Sequence, residues 1–153
     1  MAAIILENIR SAYNVWNMVR TADAFGFDVI ISGYTASPLT HEKVKKTSLW
    51  AEKTVKIFEF LDSDKALDFA KQNYKALISA ETGENSISLK DFDFTKIDQN
   101  FAIIFGNEVD GVLAQTMEKS DYVVSIPMKG IKESLNVGQS SAIFMWEFWR
   151  NLL

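Results

Sequence analysis

Residues 124–137, VSIPMKGIKESLNV, form the stretch that decides how the C-terminal part of this chain folds. The stretch opens with apolar and β-branched residues typical of a buried strand. This strand is predicted to end at Pro127, which has no N–H to donate to a sheet. Gly130 allows a turn in the loop that follows, and a helix is predicted over residues 137–149. Because ligands of open α/β sheets bind at the carboxyl ends of strands, the pattern predicts a ligand-binding loop, with an ordinary strand–turn–helix as the alternative.

Apolar segments and helical patterns alternate along the rest of the chain. Strands are predicted at residues 2–6, 27–32, 54–60, 75–80, 101–105 and 122–126, and helices at 14–25, 42–48, 113–119 and from residue 63 onward. Alternating strands and helices form a mostly parallel sheet with helices on both faces, so the predicted fold class is α/β. Residues 84–100 are polar and are predicted to be a loop.

The composition is typical of a globular domain, with 48% hydrophobic and 24% charged residues. A chain of 153 residues buries a sizeable core, so one domain over residues 1–153 is expected. The absence of cysteine and the single histidine exclude a thiol nucleophile and disfavour a transition-metal site. No apolar run is long enough to cross a bilayer and no signal-peptide pattern opens the chain, so no membrane partner and a cytoplasmic location are expected.

The charge distribution contains one basic cluster in an otherwise acidic chain. A net charge of −4 argues mildly against a nucleic-acid binder, which usually presents a basic face. However, Lys43, Lys45 and Lys46 crowd one segment, with Lys53 and Lys56 close behind. This segment is a candidate phosphate-binding surface, and the alternative is a solvated helix face.

The predicted helix over residues 14–25 has an apolar stripe and a distinct polar face. Asn14 is a good N-cap, and Gly26 suits the end of the helix. Trp16 and Arg20 lie off the apolar stripe, four residues apart, so they share a face and are predicted to stack. An ion pair between Arg20 and Asp23 is the alternative for this arginine.

Three stretches together resemble a known family. In chain order they are NVWNMVRTADAFG at 14–26, FAIIFGNEVDGV at 101–112 and the opening stretch, and residues 7–24 and 47–51 extend the likeness to nearly the whole chain. They resemble the motifs of the SpoU/TrmH family of SPOUT RNA 2′-O-methyltransferases. This resemblance implies a SPOUT-type α/β fold with a C-terminal trefoil knot, which pattern alone would not predict. It also implies a homodimer that packs the aromatic-rich C-terminal helix against its partner.

The resemblance also implies a cofactor and a set of site residues. S-adenosyl-L-methionine would be held largely by backbone groups of the loops after the strands, at Gly106, Ile126, Met128 and Leu135. At Gly106 the missing side chain would let the backbone approach the ligand. The polar site residues implied are Asn14, Arg20, Glu108, Ser134 and Asn136.

Two of these residues have roles that the sequence leaves open. Arg20, together with Lys43, Lys45 and Lys46, would bind RNA, and its guanidinium suits orientation of phosphate or ribose better than proton abstraction. Glu108 would be either a base or a positioning group, and the alternative is a carboxylate that caps the turn before Leu113.

The chain departs from the family pattern at three places. Trp16 and Trp50 stand where family members usually have glycine, and GQS at 138–140 replaces a small apolar run. A tryptophan at a glycine position either stacks on an RNA base or partly blocks the site. We expect these departures to bear on substrate choice first and on activity second.

The leading hypothesis is an S-adenosylmethionine-dependent methyltransferase acting on a ribose 2′-hydroxyl of tRNA or rRNA. The alternative is a catalytically impaired RNA- or cofactor-binding module of the same fold, which would not need the polar site residues together. An unrelated nucleotide-binding α/β domain is disfavoured, because the chain contains no G-x-G-x-x-G and no P-loop lysine motif.

Overall fold

The computed structural model describes residues 1–40, 54–83 and 85–153. Within these ranges seven strands form one sheet in the order β3-β2-β1-β6-β4-β7-β5. They are β1 (Ala2–Glu7), β2 (Asp28–Ser32), β3 (Ile57–Phe60), β4 (Ala76–Ala80), β5 (Ile87–Ser88), β6 (Phe101–Phe105) and β7 (Tyr122–Ser125). All six neighbouring pairs are parallel, which confirms and sharpens the prediction of a mostly parallel sheet.

Helices cover both faces of the sheet, as predicted. The described residues form α1 (Ala12–Phe25), α2 (Ser63–Asn73), α3 (Ala114–Glu118) and α4 (Val137–Leu152), with short 3₁₀ turns at Leu89–Asp91 and Phe94–Lys96. Apolar side chains of α1 and α4 pack with one face of the sheet in the larger core. Those of α2 pack with the opposite face. Successive residues of β1 alternate between the two cores, because side chains of a strand point to opposite faces.

The strand register determines where a ligand site forms. Ser79 of β4 is level with Ile104 of β6, and Ala80 of β4 is level with Val124 of β7. The carboxyl ends of β4, β6 and β7 therefore lie side by side, and the loops that leave them meet at one edge of the sheet.

The first helix begins two residues earlier than predicted. Ser11, not Asn14, is the N-cap residue, and its side-chain oxygen accepts from the Asn14 backbone N–H at 3.4 Å. The prediction of Asn14 as the cap was wrong because its amide group serves a contact far away in sequence, described below. The helix does end at Gly26, whose φ of 72° is the left-handed conformation that favours glycine.

The prediction that residues 84–100 are a polar loop was also wrong. This segment contains β5 and both 3₁₀ turns, and Leu89, Phe92 and Ile97 are buried in the larger core. The Phe92 ring lies 5.5 Å from that of Phe148 in α4. These widely spaced apolar residues anchor an otherwise polar segment, so no regular period marks it in the sequence.

Several predicted features lie outside the described residues: the helix over 42–48, the family-like stretch at 47–51, Trp50, and the basic residues Lys43, Lys45 and Lys46. Among the helices of the described ranges, none is long and apolar enough to cross a membrane.

Candidate active site

A cavity of about 490 Å³ opens where the loops after β4, β6 and β7 meet. Its lining comes from residues 80–82, 105–111, 124–126, 128 and 133–137, with Ser140 and Phe144 of α4. All four residues predicted to hold the cofactor line it, namely Gly106, Ile126, Met128 and Leu135, and so do Glu108, Ser134 and Asn136. Asn14 and Arg20 are not part of this lining as far as the described residues define it.

Gly106 has no room for a side chain, for a reason that differs from the expected one. An added Cβ would lie 1.9 Å from Gly111 C and 2.1 Å from Val112 N. The loop after β6 thus folds back so that its own backbone occupies the space beside Gly106. Sequence reasoning assigned this space to a ligand, whereas the structure fills it with protein.

Glu108 ties the loop after β6 to the start of α1. Its Oε2 accepts from Arg10 N at 3.0 Å, and its Oε1 accepts from Ser11 N at 3.1 Å and from Asn14 Nδ2 at 2.7 Å. Burial raises the pKa of the Glu108 carboxyl, but the hydrogen bonds from Arg10, Asn14 and Ser11 outweigh it and hold the pKa below its ordinary value. An ionised carboxylate with occupied oxygens and a lowered pKa is a poor general base, so this geometry favours a positioning role.

The alternative role for Glu108, a cap for the turn before Leu113, is wrong. The Asn107 Oδ1 makes that cap instead, accepting from Val109 N at 2.8 Å and Asp110 N at 2.9 Å. Asn107 is buried, as is Asn14.

Arg20 lies on a partly exposed aromatic face of α1. Its guanidinium carbon is 5.1 Å from the centre of the Trp16 ring, which confirms the predicted stacking. The exposed Tyr13 ring lies 5.7 Å from the same Trp16 ring. The proposed partner Asp23 instead accepts a hydrogen bond from Thr54. Tyr13, Trp16 and Arg20 thus form a continuous face on α1, here called the α1 aromatic face.

The start of α4 packs closely against α1. Asn136 is the N-cap of α4, with its Oδ1 accepting from Gly138 N at 2.9 Å. A Cβ on Gly138 would lie 3.5 Å from Asn17 Cβ and 3.6 Å from Asn14 Oδ1. The departure from the family pattern at residue 138 therefore suits a close approach of the two helices beside Asn14.

Sequence reasoning missed two glutamates that hold the same loop. Glu7 is only 2% exposed and accepts from Leu113 N at 2.9 Å and from Thr116 Oγ1 at 2.6 Å. Glu81 accepts from Val112 N at 2.9 Å. Glu7 ends β1, and Glu81 directly follows β4. Both could have been noticed in the sequence, because each is an acidic residue at the carboxyl end of an apolar strand.

The comparisons with known proteins identify the class of protein that this fold and cavity define. A model of the SpoU rRNA Methylase family matches residues 1–146, so the chain belongs to that family. No group of three or more metal-ligating side chains with suitable geometry occurs in the part of the chain that the structure describes.

Individual relatives agree with this assignment. The chain is 29% identical over 147 residues to a protein of Staphylococcus epidermidis named as a TrmH family tRNA/rRNA methyltransferase, covering 96% of this chain and 57% of that protein. It thus spans a little over half the length of such relatives.

Solved structures show the same fold. An AdoMet-bound rRNA methyltransferase from Sinorhizobium meliloti superposes with a TM-score of 0.89 at 20% identity, covering 99% of this chain and 57% of that one. A TrmH/SpoU tRNA modifying enzyme from A. aeolicus superposes with a TM-score of 0.79 at 25% identity, covering 97% and 74%. The SPOUT-type α/β fold class follows from these matches.

Proposed function

We propose that this chain is an S-adenosylmethionine-dependent RNA methyltransferase that transfers a methyl group to a ribose 2′-hydroxyl of tRNA or rRNA. The observation that carries the proposal is the cavity at three adjacent strand ends, joined by the Glu108–Asn14 contact to the helix that bears Arg20. Family membership supports the same activity, and relatives are named as tRNA/rRNA methyltransferases.

The proposed cofactor site is the cavity itself. Its volume of about 490 Å³ lies in the usual range for small-molecule sites. Ile126 and Leu135 offer apolar side chains for an adenine ring, and the loops around them offer backbone groups for its polar atoms. The S. meliloti relative is named as AdoMet-bound. When bound, S-adenosylmethionine supplies a methyl group activated by its sulfonium charge.

The polar residues of this chain are proposed to position the reacting hydroxyl. Arg20 is exposed, and the planar donor fork of its guanidinium suits RNA phosphate or ribose oxygens. Asn14 and Glu108 hold the start of α1 against the cavity loop. Ser134 and Asn136 are proposed to contribute polar groups from the lining of the cavity. Neither Arg20 nor the hydrogen-bonded Glu108 is suited to accept the proton, so their proposed contribution is orientation and charge.

The α1 aromatic face is proposed to contact the RNA as well. Unpaired bases stack on exposed aromatic rings and guanidinium planes. Tyr13 and Arg20 are exposed, and both contact the half-buried ring of Trp16. Lys43, Lys45 and Lys46 are proposed to add phosphate contacts, on the strength of their charge alone.

The remaining proposals concern the whole molecule. We propose one SPOUT methyltransferase domain over residues 1–153 with a C-terminal trefoil knot. A homodimer is proposed because Phe25, Trp146 and Trp149 form an aromatic cluster in which both tryptophans are exposed, at 48% and 38%. A cytoplasmic location is proposed because tRNA and rRNA are the substrates.

A catalytically impaired RNA- or cofactor-binding module is the second candidate function. The observation in its favour is Trp16, which replaces the usual glycine in the helix that carries Arg20. Its indole Nε1 is buried without a hydrogen-bond partner. An unsatisfied buried donor is energetically costly, so the indole at this position is not optimised for stability.

A methyl-transfer assay with matched variants tests the proposal. Purified protein is incubated with S-adenosylmethionine carrying a tritiated methyl group and with tRNA or rRNA that lacks modifications. We expect label in the RNA from the wild type and from Lys90→Ala, which removes an exposed cation outside the cavity lining. Arg20→Ala should lose most of the transfer while still binding S-adenosylmethionine. Cofactor binding without transfer to any RNA would favour the second candidate.

A further inference from the structure

Glu81 connects the ends of all three strands that border the cavity. It directly follows β4, and its backbone N–H donates to the Val124 carbonyl of β7 at 3.1 Å. Its side chain reaches the loop after β6, where Oε2 accepts from Val112 N at 2.9 Å. Glu81 is half-buried and lines the cavity.

Both oxygens of this carboxylate are occupied by donors. While Oε2 accepts from Val112, Oε1 accepts from Thr82 N at 2.8 Å and from Thr82 Oγ1 at 3.2 Å. Val112 itself is 2% exposed, so its N–H depends on a protein acceptor. The side chain at position 81 must accept hydrogen bonds at both of its terminal atoms. A carboxylate accepts at both, whereas a carboxamide accepts at only one.

The peptide held by Glu81 also supports Gly106. A Cβ on Gly111 would lie 2.1 Å from Glu81 Oε2, and Gly111 has a φ of +69°. On the other side, a Cβ on Gly106 would lie 2.0 Å from Gly111 O. The Gly111–Val112 peptide is therefore packed between the Gly106 backbone and the Glu81 carboxylate, with no side chain in either gap.

We propose that Glu81 is a positioning residue for the cofactor cavity: its carboxylate fixes the Gly111–Val112 peptide, and this peptide fixes the Gly106 wall. This inference rests on the proposed function, since it takes S-adenosylmethionine as the ligand. Without the carboxylate, the Val112 N–H loses its acceptor and the Gly106 wall loses its support. The ligand then binds to a cavity that must first be ordered, and its affinity falls.

Calorimetric titration with S-adenosylmethionine tests the inference on three proteins: the wild type, Glu81→Gln and the control Glu118→Gln, which changes an exposed glutamate on α3. Glutamine fills the same space as glutamate, but its amide nitrogen must face either Val112 N–H or Thr82 N–H. We expect Glu81→Gln to weaken binding about tenfold or more, equivalent to ~1.4 kcal/mol. Glu118→Gln should bind like the wild type.

Amide hydrogen exchange in the absence of ligand gives a second, independent readout. Exchange at the Val112 amide should accelerate in Glu81→Gln, while amides of the central strand β6 keep their protection, which shows that the variant is folded.

Each outcome separates the inference from the proposed function. Weaker binding together with faster Val112 exchange supports the positioning role. Equal binding by the wild type and Glu81→Gln overturns the positioning role and leaves the proposed function standing. A folded wild type that does not bind S-adenosylmethionine refutes the proposed function, and the inference fails with it.

Discussion

Replacement of Glu108 by glutamine is expected to destabilise the protein at neutral pH. The glutamine amide oxygen can keep the two bonds made at Oε1, from Ser11 N and Asn14 Nδ2. The amide nitrogen then faces the Arg10 N–H, so one hydrogen bond is lost and two donors are opposed. We expect a loss of about 1–2 kcal/mol in the free energy of unfolding. Glu108→Ala loses all three bonds and leaves the buried Asn14 amide unpaired, so about 3 kcal/mol is expected.

The pH dependence of this loss has a definite sign. The pKa of Glu108 lies below the ordinary 4.5 in the folded protein, so its ionised form contributes stability above that pH. This contribution disappears as the pH falls through the lowered pKa of the folded state. Urea denaturation followed by tryptophan fluorescence should therefore show the full difference at pH 7 and a shrinking difference below pH 4.5. Equal stability of the wild type and Glu108→Gln at pH 7, or a difference independent of pH, would refute this reasoning.

The same variant separates a positioning role from a base. Loss of a general base typically costs 10²–10⁴-fold in rate. If Glu108 only positions other groups, Glu108→Gln keeps two of its three contacts and should lower the rate of methyl transfer by less than about 100-fold. Complete loss of transfer by a folded Glu108→Gln would assign proton abstraction to this carboxylate and contradict the geometry described above.

Three further substitutions test the core, the loop and the α1 aromatic face. Phe148→Ala should lower the free energy of unfolding, measured by urea denaturation, by about 3–5 kcal/mol, because Phe148 is fully buried among aromatic rings. A decrease of less than about 1 kcal/mol would contradict this packing. Gly106→Ala should lower the free energy of unfolding by about 1–3 kcal/mol and weaken S-adenosylmethionine binding, because the new methyl group clashes with the Gly111–Val112 backbone. Unchanged binding would refute the close approach of these two backbone segments. Trp16→Gly should weaken binding of single-stranded RNA by about 1–3 kcal/mol in filter binding, with Lys90→Ala as control. Unchanged binding would exclude base stacking on Trp16.

The sheet was predictable because its central strands are continuous apolar runs. Phe101–Phe105 was located to the residue, and β1 was missed only at Glu7. Strands buried on both faces have this composition, and the intervening helical patterns require parallel crossovers. The same logic predicted a ligand-binding loop in residues 124–137, since ligands bind at the carboxyl ends of parallel strands. That the loops at 105–106, 126–128 and 134–136 share one site was implied by the family resemblance, and the structure brings them together around one cavity.

The contacts that shape the cavity were not predictable, because each joins residues far apart in sequence. Ser11 and Asn14 are both good N-caps, and the choice between them was made by Glu108, 94 residues away from Asn14. Glu81 and Glu7 likewise bind backbone N–H groups 31 and 106 residues away. A local pattern shows where an acidic residue stands, but not which distant donor it will meet.

The most direct test of the central claim is the position of the transferred methyl group. RNA labelled by the purified protein from tritiated S-adenosylmethionine is digested with alkali, which cleaves beside every free 2′-hydroxyl. We predict that the label remains in alkali-resistant dinucleotides, because a methylated ribose blocks cleavage. Label recovered in mononucleotides would place the methyl group on a base and contradict ribose methylation.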